Sequence, residues 1–370
     1  MRILHVSDCY LPLLGGIEMQ VSQLAARQHA AGHDVRVLTA TPARPGARGR
    51  SREDDGGVVV HRMAAAIPGG APVHPWPRGH ARRLLASFRP DVVHLHIGGL
   101  TPTTQALMPV VRDLGIPAVV TVHSVWGPLA VGAYALAERL VRWSRWGLVL
   151  SGVSELAAGH IRRAAPGAQV HVLRNGVDPA DWLRDPLPRP AVVHAVSAGR
   201  FAPRKRMLPL LATLRRARAL LPPDAELEVT LAGAGPQLAR AQAYVARHGM
   251  DWVHLPGRRT RTELVELYRR ADVYLSPGVR EAFGIAVFEA RAAGLAVVSR
   301  SQAGAAELLV DGTDALLADD DEAMARAIAR LVTDRGLREA MVAHNRAVPP
   351  ATAWPAVLAE AEALYRRAGA

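Results

Sequence analysis

The decapeptide Glu281-Ala282-Phe283-Gly284-Ile285-Ala286-Val287-Phe288-Glu289-Ala290 holds two carboxylates eight residues apart around a glycine. On one continuous helix, residues eight apart fall about 80° out of register. Pro277, Gly278 and Gly284 instead place Glu281 in a loop and Glu289 in the second turn of a helix that starts near Ile285. One carboxylate then reaches a ligand from the loop and the other from the helix. The amides of Gly284, Ile285 and Ala286 stand at a helix start, where unpaired N–H groups receive anions. Carboxylates accept hydrogen bonds from vicinal hydroxyls, so a sugar joined to a phosphate matches this pattern. Two solvated helix-end glutamates are the plainer alternative.

A second group lies at Gly199-Arg200-Phe201-Ala202-Pro203-Arg204-Lys205-Arg206, just after an apolar strand. Lys205 is the only lysine beside 44 arginines. A chain that uses guanidinium almost everywhere keeps one compact ammonium here, which suits a site needing a point charge. Arg200 and Lys205 together can hold two phosphates of one diphosphate; a solvated basic loop is the alternative. Gly15-Gly16 precedes a helix and lets backbone approach an anion closely, or is only a flexible turn.

Other signals carry less. No Gly-Lys-Ser/Thr P-loop is present, and Gly233-Ala234-Gly235 lacks the third glycine of a dinucleotide fingerprint, so it reads as a tight turn. His94 and His96 share a strand face, but no third ligand has matching spacing, so no metal site is expected. His123 ends an apolar strand and is expected at the cleft between two domains. Arg139, Arg142 and Arg145 with Trp143 and Trp146 read as a membrane-surface helix or, more simply, a packed helix with a basic outer face.

The elements that position these residues repeat a strand–helix pattern. Short β-branched runs, at 2–7, 35–39, 91–96, 118–123 and 147–153, alternate with helical or loop segments. The pattern restarts after Asp185-Pro186-Leu187-Pro188-Arg189-Pro190 with strands at 192–197, 227–232, 253–255, 273–275 and 296–299. Helices are expected at 17–31, 207–220, 238–248, 261–270, 285–293, 321–332 and 351–365. This is an α/β chain of two doubly wound parallel-sheet domains, whose ligands lie at the C-terminal ends of the strands. Segments 44–57 and 69–79, rich in Gly, Pro and Arg, read as loops.

Composition narrows the class. A length of 370 residues suits two domains. Cys9 is the only cysteine, which excludes an internal disulfide and leaves a reducing cytoplasm as the expected compartment. No apolar run reaches a membrane span and no leader peptide is apparent. The net charge of +12 divides as +8 up to residue 190 and +4 beyond. It is scattered rather than blocked, without interleaved aromatics, so nucleic acid is not the expected partner.

Taken together these residues resemble the family 4 glycosyltransferases, retaining enzymes of the GT-B fold. The likeness rests on Pro12-x-x-Gly15-Gly16, Asn175-Gly176-Val177-Asp178, Gly199-Arg200-Phe201-x-x-x-Lys205, Gly233/Gly235, Glu281-x7-Glu289, Ala290-x-Ala292-x-Gly294-x-x-Val297-Val298 and Asp311-Gly312. It implies two Rossmann-like domains, an acceptor-side one over 1–185 with a returning helix at 350–370 and a donor-binding one over 190–349. It implies that Arg200, Lys205 and the amides near Gly284, Ile285 and Ala286 hold a donor diphosphate, with Gly15 and Gly16 by the phosphates. Glu289 binds the ribose, Glu281 the donor sugar, and Arg258 the base; Phe283 belongs to the same motif, and His123 lies near the reacting centre. A UDP- or GDP-sugar would be the donor, with no cofactor and no metal. The acceptor stays open among small molecules, lipid-linked carriers and polysaccharides, and peripheral membrane contact is allowed. A nucleotide-sugar epimerase of the same fold is the rival, and a basic nucleic-acid binder a distant third. Two departures stand out: Arg206 replaces a usual glycine, and Asp314-Ala315 stands where Asn-Gly is common.

Overall fold

The computed structural model describes the chain except residues 14, 66, 68–70, 186 and 188–191. Most of the proline-rich linker and the start of the 69–79 loop therefore lie outside the described residues. The chain forms two compact units, Met1–Gly176 with Trp354–Ala370, and Val177–Ala353.

The first unit runs β1 (Arg2–Ser7), α1 (Gly16–Ala30), β2 (Asp34–Thr39), β3 (Gly49–Asp55), β4 (Val58–Ala64), α2 (Arg78–Phe88), β5 (Val92–Ile97), α3 (Pro102–Asp113), β6 (Ala118–Val122), α4 (Pro128–Val141), β7 (Val149–Gly152), α5 (Glu155–Ala164) and β8 (Val170–Val172). Its strands line up as β3-β4-β2-β1-β5-β6-β7-β8, parallel except for β3. Helices cover both faces, so β5 and β6 are buried along their whole length, the polar His94, His96 and Thr121 included.

Segment 44–57, expected as a loop, contains β3. Nearly every residue of Gly-Arg-Ser-Arg-Glu-Asp-Asp is exposed, so no hydrophobic alternation announces it. It forms because Gly56 and Gly57, both at positive φ, turn β4 back into an antiparallel hairpin. Its charges protect the sheet edge from further pairing.

The second unit contains α6 (Pro179–Trp182), β9 (Val193–Ala198), α7 (Met207–Ala219), β10 (Leu227–Ala232), α8 (Leu238–Arg247), β11 (Val253–His254), α9 (Arg261–Arg270), β12 (Val273–Ser276), α10 (Ile285–Ala292), β13 (Ala296–Arg300), β14 (Leu316–Ala318), α11 (Asp321–Thr333) and α12 (Arg335–Ala347). The wholly parallel order β11-β10-β9-β12-β13-β14 reverses direction of winding at β9 and β12. That switch point is where open α/β sheets leave a crevice for ligands. The chain then closes with α13 (Trp354–Ala368), which packs on the first unit and buries Trp354, Val357, Ala361, Leu364 and Tyr365.

Gly233 and Gly235 do more than turn. A Cβ on Gly233 would stand 1.8 Å from the Gly199 carbonyl oxygen, and one on Gly235 2.5 Å from that of Phe201. Two strand-end loops thus interlock backbone to backbone, through Phe201 N–H donating to Ala234 O and Gln237 N–H donating to Phe201 O. Gly233→Ala should cost about 2–4 kcal/mol of unfolding free energy, measured by urea denaturation; an unchanged midpoint would refute the interlock.

Candidate active site

In the second unit, β9 ends in Ala198 and the following loop carries Arg200 and a short 3-10 turn, Pro203–Lys205. β12, hydrogen-bonded to β9, leads through a loop to Glu281 and α10. Because the strands are neighbours, their loops meet. Lys205 donates a short charge-assisted hydrogen bond to Glu281 Oε2, and Glu281 is only 18% exposed. Seventy-six residues of sequence separation close onto one ion pair. Arg200 and Arg258 are exposed and form no ion pair with any described residue, leaving both guanidinium groups available to a ligand.

The loop before α10 is fixed on several sides. Gly304 N–H donates to Glu281 O at 2.9 Å, and Gly284 takes φ +83 as the residue that starts the helix. Only glycine takes that conformation without strain, and a Cβ there would press on Ala305 at 3.1 Å. Phe283 is buried against Phe288 with ring centroids 4.9 Å apart, so its side chain packs inside the loop. The first-turn amides of Ile285 and Ala286 follow, half-buried and directed out of the helix start.

Glu289 lies in the next turn in a different environment. Burial pushes its carboxyl up to about 7, with the Arg261 guanidinium pulling the other way. Its charge is felt by Tyr268 and Tyr274, and Tyr274 also senses Glu281, so both carboxylates border one tyrosine. Tyr274 donates to Ala198 O at 3.2 Å, tying this patch to the end of β9. Arg261 is itself held by Asp181 at 2.7 Å and lies over the Trp182 ring. The Glu289 carboxylate thus sits in a low-polarity niche with no hydrogen-bond donor from the described residues, a group awaiting a partner.

The two departures have structural grounds. Arg206 occupies φ +58, the left-handed conformation a glycine would fill, and two hydrogen bonds to Asp321 at 2.6 and 2.8 Å hold it there. Asp314 is buried and pairs with Arg291 of α10 at 3.2 Å, while Asn345 receives Arg291 Nε–H and donates to Asp314 O. A carboxylate replaces the amide because a buried arginine on the ligand-facing helix needs neutralising.

In the first unit, Gly15 and Gly16 begin α1, and the Glu18 carboxylate lies where a Gly15 Cβ would be, 2.5 Å from it. Asp8, at the end of β1, accepts from the Thr103 and Thr104 amides and caps α3. His123 does not stand alone. The missing third histidine is His5: β1 and β5 pair with His5 opposite His94, which gathers His5, His94 and His96 within reach of one ion. The sequence hint was a histidine inside an otherwise apolar central strand.

Every ring nitrogen of these three is already engaged, so the arrangement is a hydrogen-bond chain. His123 Nε2 meets His96 Nδ1 at 3.0 Å, and His96 Nε2 meets His5 Nδ1 at 2.9 Å. His5 Nε2 meets Gln28 Oε1 at 2.7 Å, and Gln28 Nε2 donates to the Tyr365 hydroxyl at 3.0 Å. Tyr365 then meets His94 Nδ1, His94 Nε2 meets Thr121, Thr121 meets Ser151, and Ser151 donates to Val120 O. A carbonyl can only accept, so direction propagates back along the chain to His123. Burial lowers His5 and His123 to about 4 and His94 and His96 well below their usual value, so all four rings are neutral at pH 7. Each neutral ring then carries its proton on Nε2, and the Nδ1 of His123 is left bare and buried, with the Asn175 side chain as its neighbour. Asn175, itself buried, partly offsets the lowering.

This geometry can be set beside known proteins. The profile of "Glycosyltransferase Family 4" matches residues 14–181, and that of "Glycosyl transferases group 1" matches residues 190–348. Glycogen synthase of Mycobacterium tuberculosis is 30% identical, over 90% of this chain and 86% of that protein. The chain belongs to the family 4 glycosyltransferases. It is a sugar-transferring enzyme of the retaining GT-B class that draws on a nucleotide-sugar. A phosphatidyl-myo-inositol mannosyltransferase of Mycolicibacterium smegmatis is 29% identical over 99% of this chain and 93% of that one. Among solved structures, Anabaena HepE in complex with UDP and glucose shares the fold at a TM-score of 0.74 and 18% identity, covering 98% of both chains. Sucrose-phosphate synthase from Thermosynechococcus elongatus does so at 0.76 and 19%, covering 99% of each.

Two measurements test the transferase's site. Histidine-selective 15N spectra at pH 7 should give His5, His94, His96 and His123 as neutral Nε2–H rings; an Nδ1–H ring or an imidazolium among them would break the chain. Glu289 has a folded value above its unfolded one, so its ionisation opposes folding as pH rises through the window from 4.5 to about 7. Glu289→Gln should therefore raise the melting temperature of the unliganded protein at pH 8 while weakening nucleotide binding about tenfold or more. Lower stability with unchanged binding would make Glu289 a structural group only.

Proposed function

We propose that the chain transfers a sugar from a UDP- or GDP-sugar to an acceptor hydroxyl with retention at the anomeric carbon. The observation that carries this is the Lys205–Glu281 pair beside the partnerless Glu289 on the start of α10. Arg200, Lys205 and the Gly284, Ile285 and Ala286 amides are assigned to the diphosphate. Glu289 is assigned to the ribose diol, Glu281 to the donor sugar, Arg258 to the base, and Gly15 and Gly16 to further phosphate contact. His123 is assigned to the reacting sugar. In this reading residues 190–349 bind donor and residues 1–185 with 350–370 bind acceptor.

The chemistry follows from charge. As the glycosidic bond to phosphate lengthens, negative charge grows on the β-phosphate and positive charge on the ring. Fixed cations and amides at the phosphate favour the transition state over the ground state, because the charge they meet is still developing. Lys205 and Arg200 supply in this reading the positive charge that a divalent ion gives other transferases, so no metal is invoked. Glu281 orients Lys205 before substrate arrives and offers its second oxygen to a donor hydroxyl.

Anabaena HepE carries UDP and glucose, and an M. tuberculosis relative is a GDP-mannose-dependent mannosyltransferase, which supports these two donor classes. Among the described residues no helix is long and apolar enough to cross a membrane, and a cytoplasmic setting with peripheral membrane contact is compatible with that.

A thermal-shift screen with UDP, GDP, ADP and their sugars identifies the donor. Against it, Lys205→Ala and Glu281→Gln should each lower transfer by roughly 10²–10³ with unchanged circular dichroism. Near-wild-type rates in both would end the assignment. Conversion of the donor without any acceptor would favour the epimerase.

A further inference from the structure

The first unit contains a cavity of about 430 Å³ that the donor reading leaves unused. It lies beneath α4 and begins at the C-terminal ends of β5 and β6, with Ile97, Val122 and Trp126 in its wall. Val122 and Trp126 flank His123 in sequence, and His123 N–H donates to Ile97 O at 2.8 Å. Ile97 and Val122 of the cavity wall and the His123 ring are thus set by the same two strand ends.

Its lining is apolar and aromatic. Trp126, Tyr134, Trp143 and Trp146 are its aromatic residues, with Trp126 and Tyr134 stacked at 3.9 Å. Its polar groups are few and partly paired. Gln105 donates to the Tyr134 hydroxyl, Trp143 Nε1–H to Tyr134 O, and Trp146 Nε1–H to Val141 O. Among the indoles of the wall Trp126 differs: the residue is 4% exposed, and its Nε1–H has no acceptor among the described residues. A buried N–H without an acceptor is costly unless a ligand supplies one. Above the cavity, α4 has no fully buried residue, and Leu136 and Leu140 stand 57% and 73% exposed. The helix touches the core through Ala130, Val131, Tyr134 and Ala137, and the cavity lies along that face.

We infer that this cavity receives the apolar body of the sugar acceptor: a hydroxyl compound with a hydrocarbon or aryl portion of up to drug-like size and one hydrogen-bond acceptor for Trp126 Nε1–H. A carbohydrate acceptor is disfavoured, because its many hydroxyls would enter a wall that offers few polar groups, the Trp126 Nε1–H, the Tyr134 hydroxyl and the Gln105 amide among them. This holds although the M. tuberculosis relative is a glycogen synthase. The inference rests on the transferase reading and names its substrate class. A membrane lipid and a free small molecule present the same chemistry.

Tryptophan fluorescence of the full chain tests it, since three indoles line the cavity. The probes are 4-methylumbelliferone in buffer, dodecanol in neutral phosphatidylcholine vesicles, and maltotriose. Saturable quenching is expected with 4-methylumbelliferone, dodecanol or both, the responsive arm showing whether the acceptor comes from solution or from a bilayer, and none with maltotriose. Ala137→Trp, which fills the cavity, should weaken apolar binding at least about tenfold and leave nucleotide binding by calorimetry unchanged. Ala133→Phe, on the exposed part of the wall, serves if Ala137→Trp lowers the melting point. Trp126→Phe keeps the ring but removes the N–H, and should weaken 4-methylumbelliferone about three- to tenfold. Saturable maltotriose binding lost in Ala137→Trp, or silence of both apolar probes while the nucleotide still binds, would overturn the acceptor class without touching the donor assignment. Loss of nucleotide binding in the wild-type chain would instead strike the transferase reading itself.

Discussion

A lone ammonium held by a carboxylate organises the second unit. Lys205 reaches Glu281 only because β9 and β12 are hydrogen-bonded neighbours whose following loops leave the sheet at the same end. Everything that fixes those loops serves that contact: the interlocked Gly233 and Gly235 backbones under the first, and Gly304 and the Phe283–Phe288 contact under the second. A half-buried pair of this kind contributes little to stability, since solvent still reaches Lys205 and two flexible side chains lose freedom. Its value is positional, because the charge is oriented before a diphosphate arrives and no reorganisation remains to be done.

The first unit solves a different problem with neutral groups. Burying four imidazoles as cations would be prohibitive, and burying them unpaired would waste their hydrogen-bonding capacity. Linking them end to end through Gln28, Tyr365, Thr121 and Ser151 satisfies all but one ring nitrogen. Low dielectric strengthens each link, and the shared direction makes the set act as one unit. The same residues could be taken for a metal cage from proximity alone; the 2.9 Å nitrogen–nitrogen contact between His5 and His96 argues for a proton between them.

Much of this was legible in the residues. The strand–helix alternation fixed the fold class, because doubly covered strands are mostly apolar and β-branched and so stand out. Glu281 and Glu289 were separable into loop and helix from Pro277, Gly278 and Gly284. What escaped has common causes. β3 carries no hydrophobic period, and it exists through the hairpin turn and pairing with β4. His5 and Tyr365 join His94 only through parallel register and a helix that returns from the far end of the chain, long-range geometry that spacing does not encode. Phe283 was grouped with ligand-binding residues by position in its motif, whereas its apolar ring is drawn inward to Phe288. The cavity under α4 was invisible because an aromatic lining and a filled core have the same composition.

The closing helix α13 has a practical bearing. Trp354 fills the space over Gly176, where a Cβ would stand 2.4 Å from the indole, and Tyr365 sits in the middle of the histidine chain. Residues far along the sequence are thereby wired to the chemistry of a strand near its beginning. Trimming this segment, or fusing a folded partner immediately behind it, is an intervention on imidazole proton placement rather than a neutral change at a terminus.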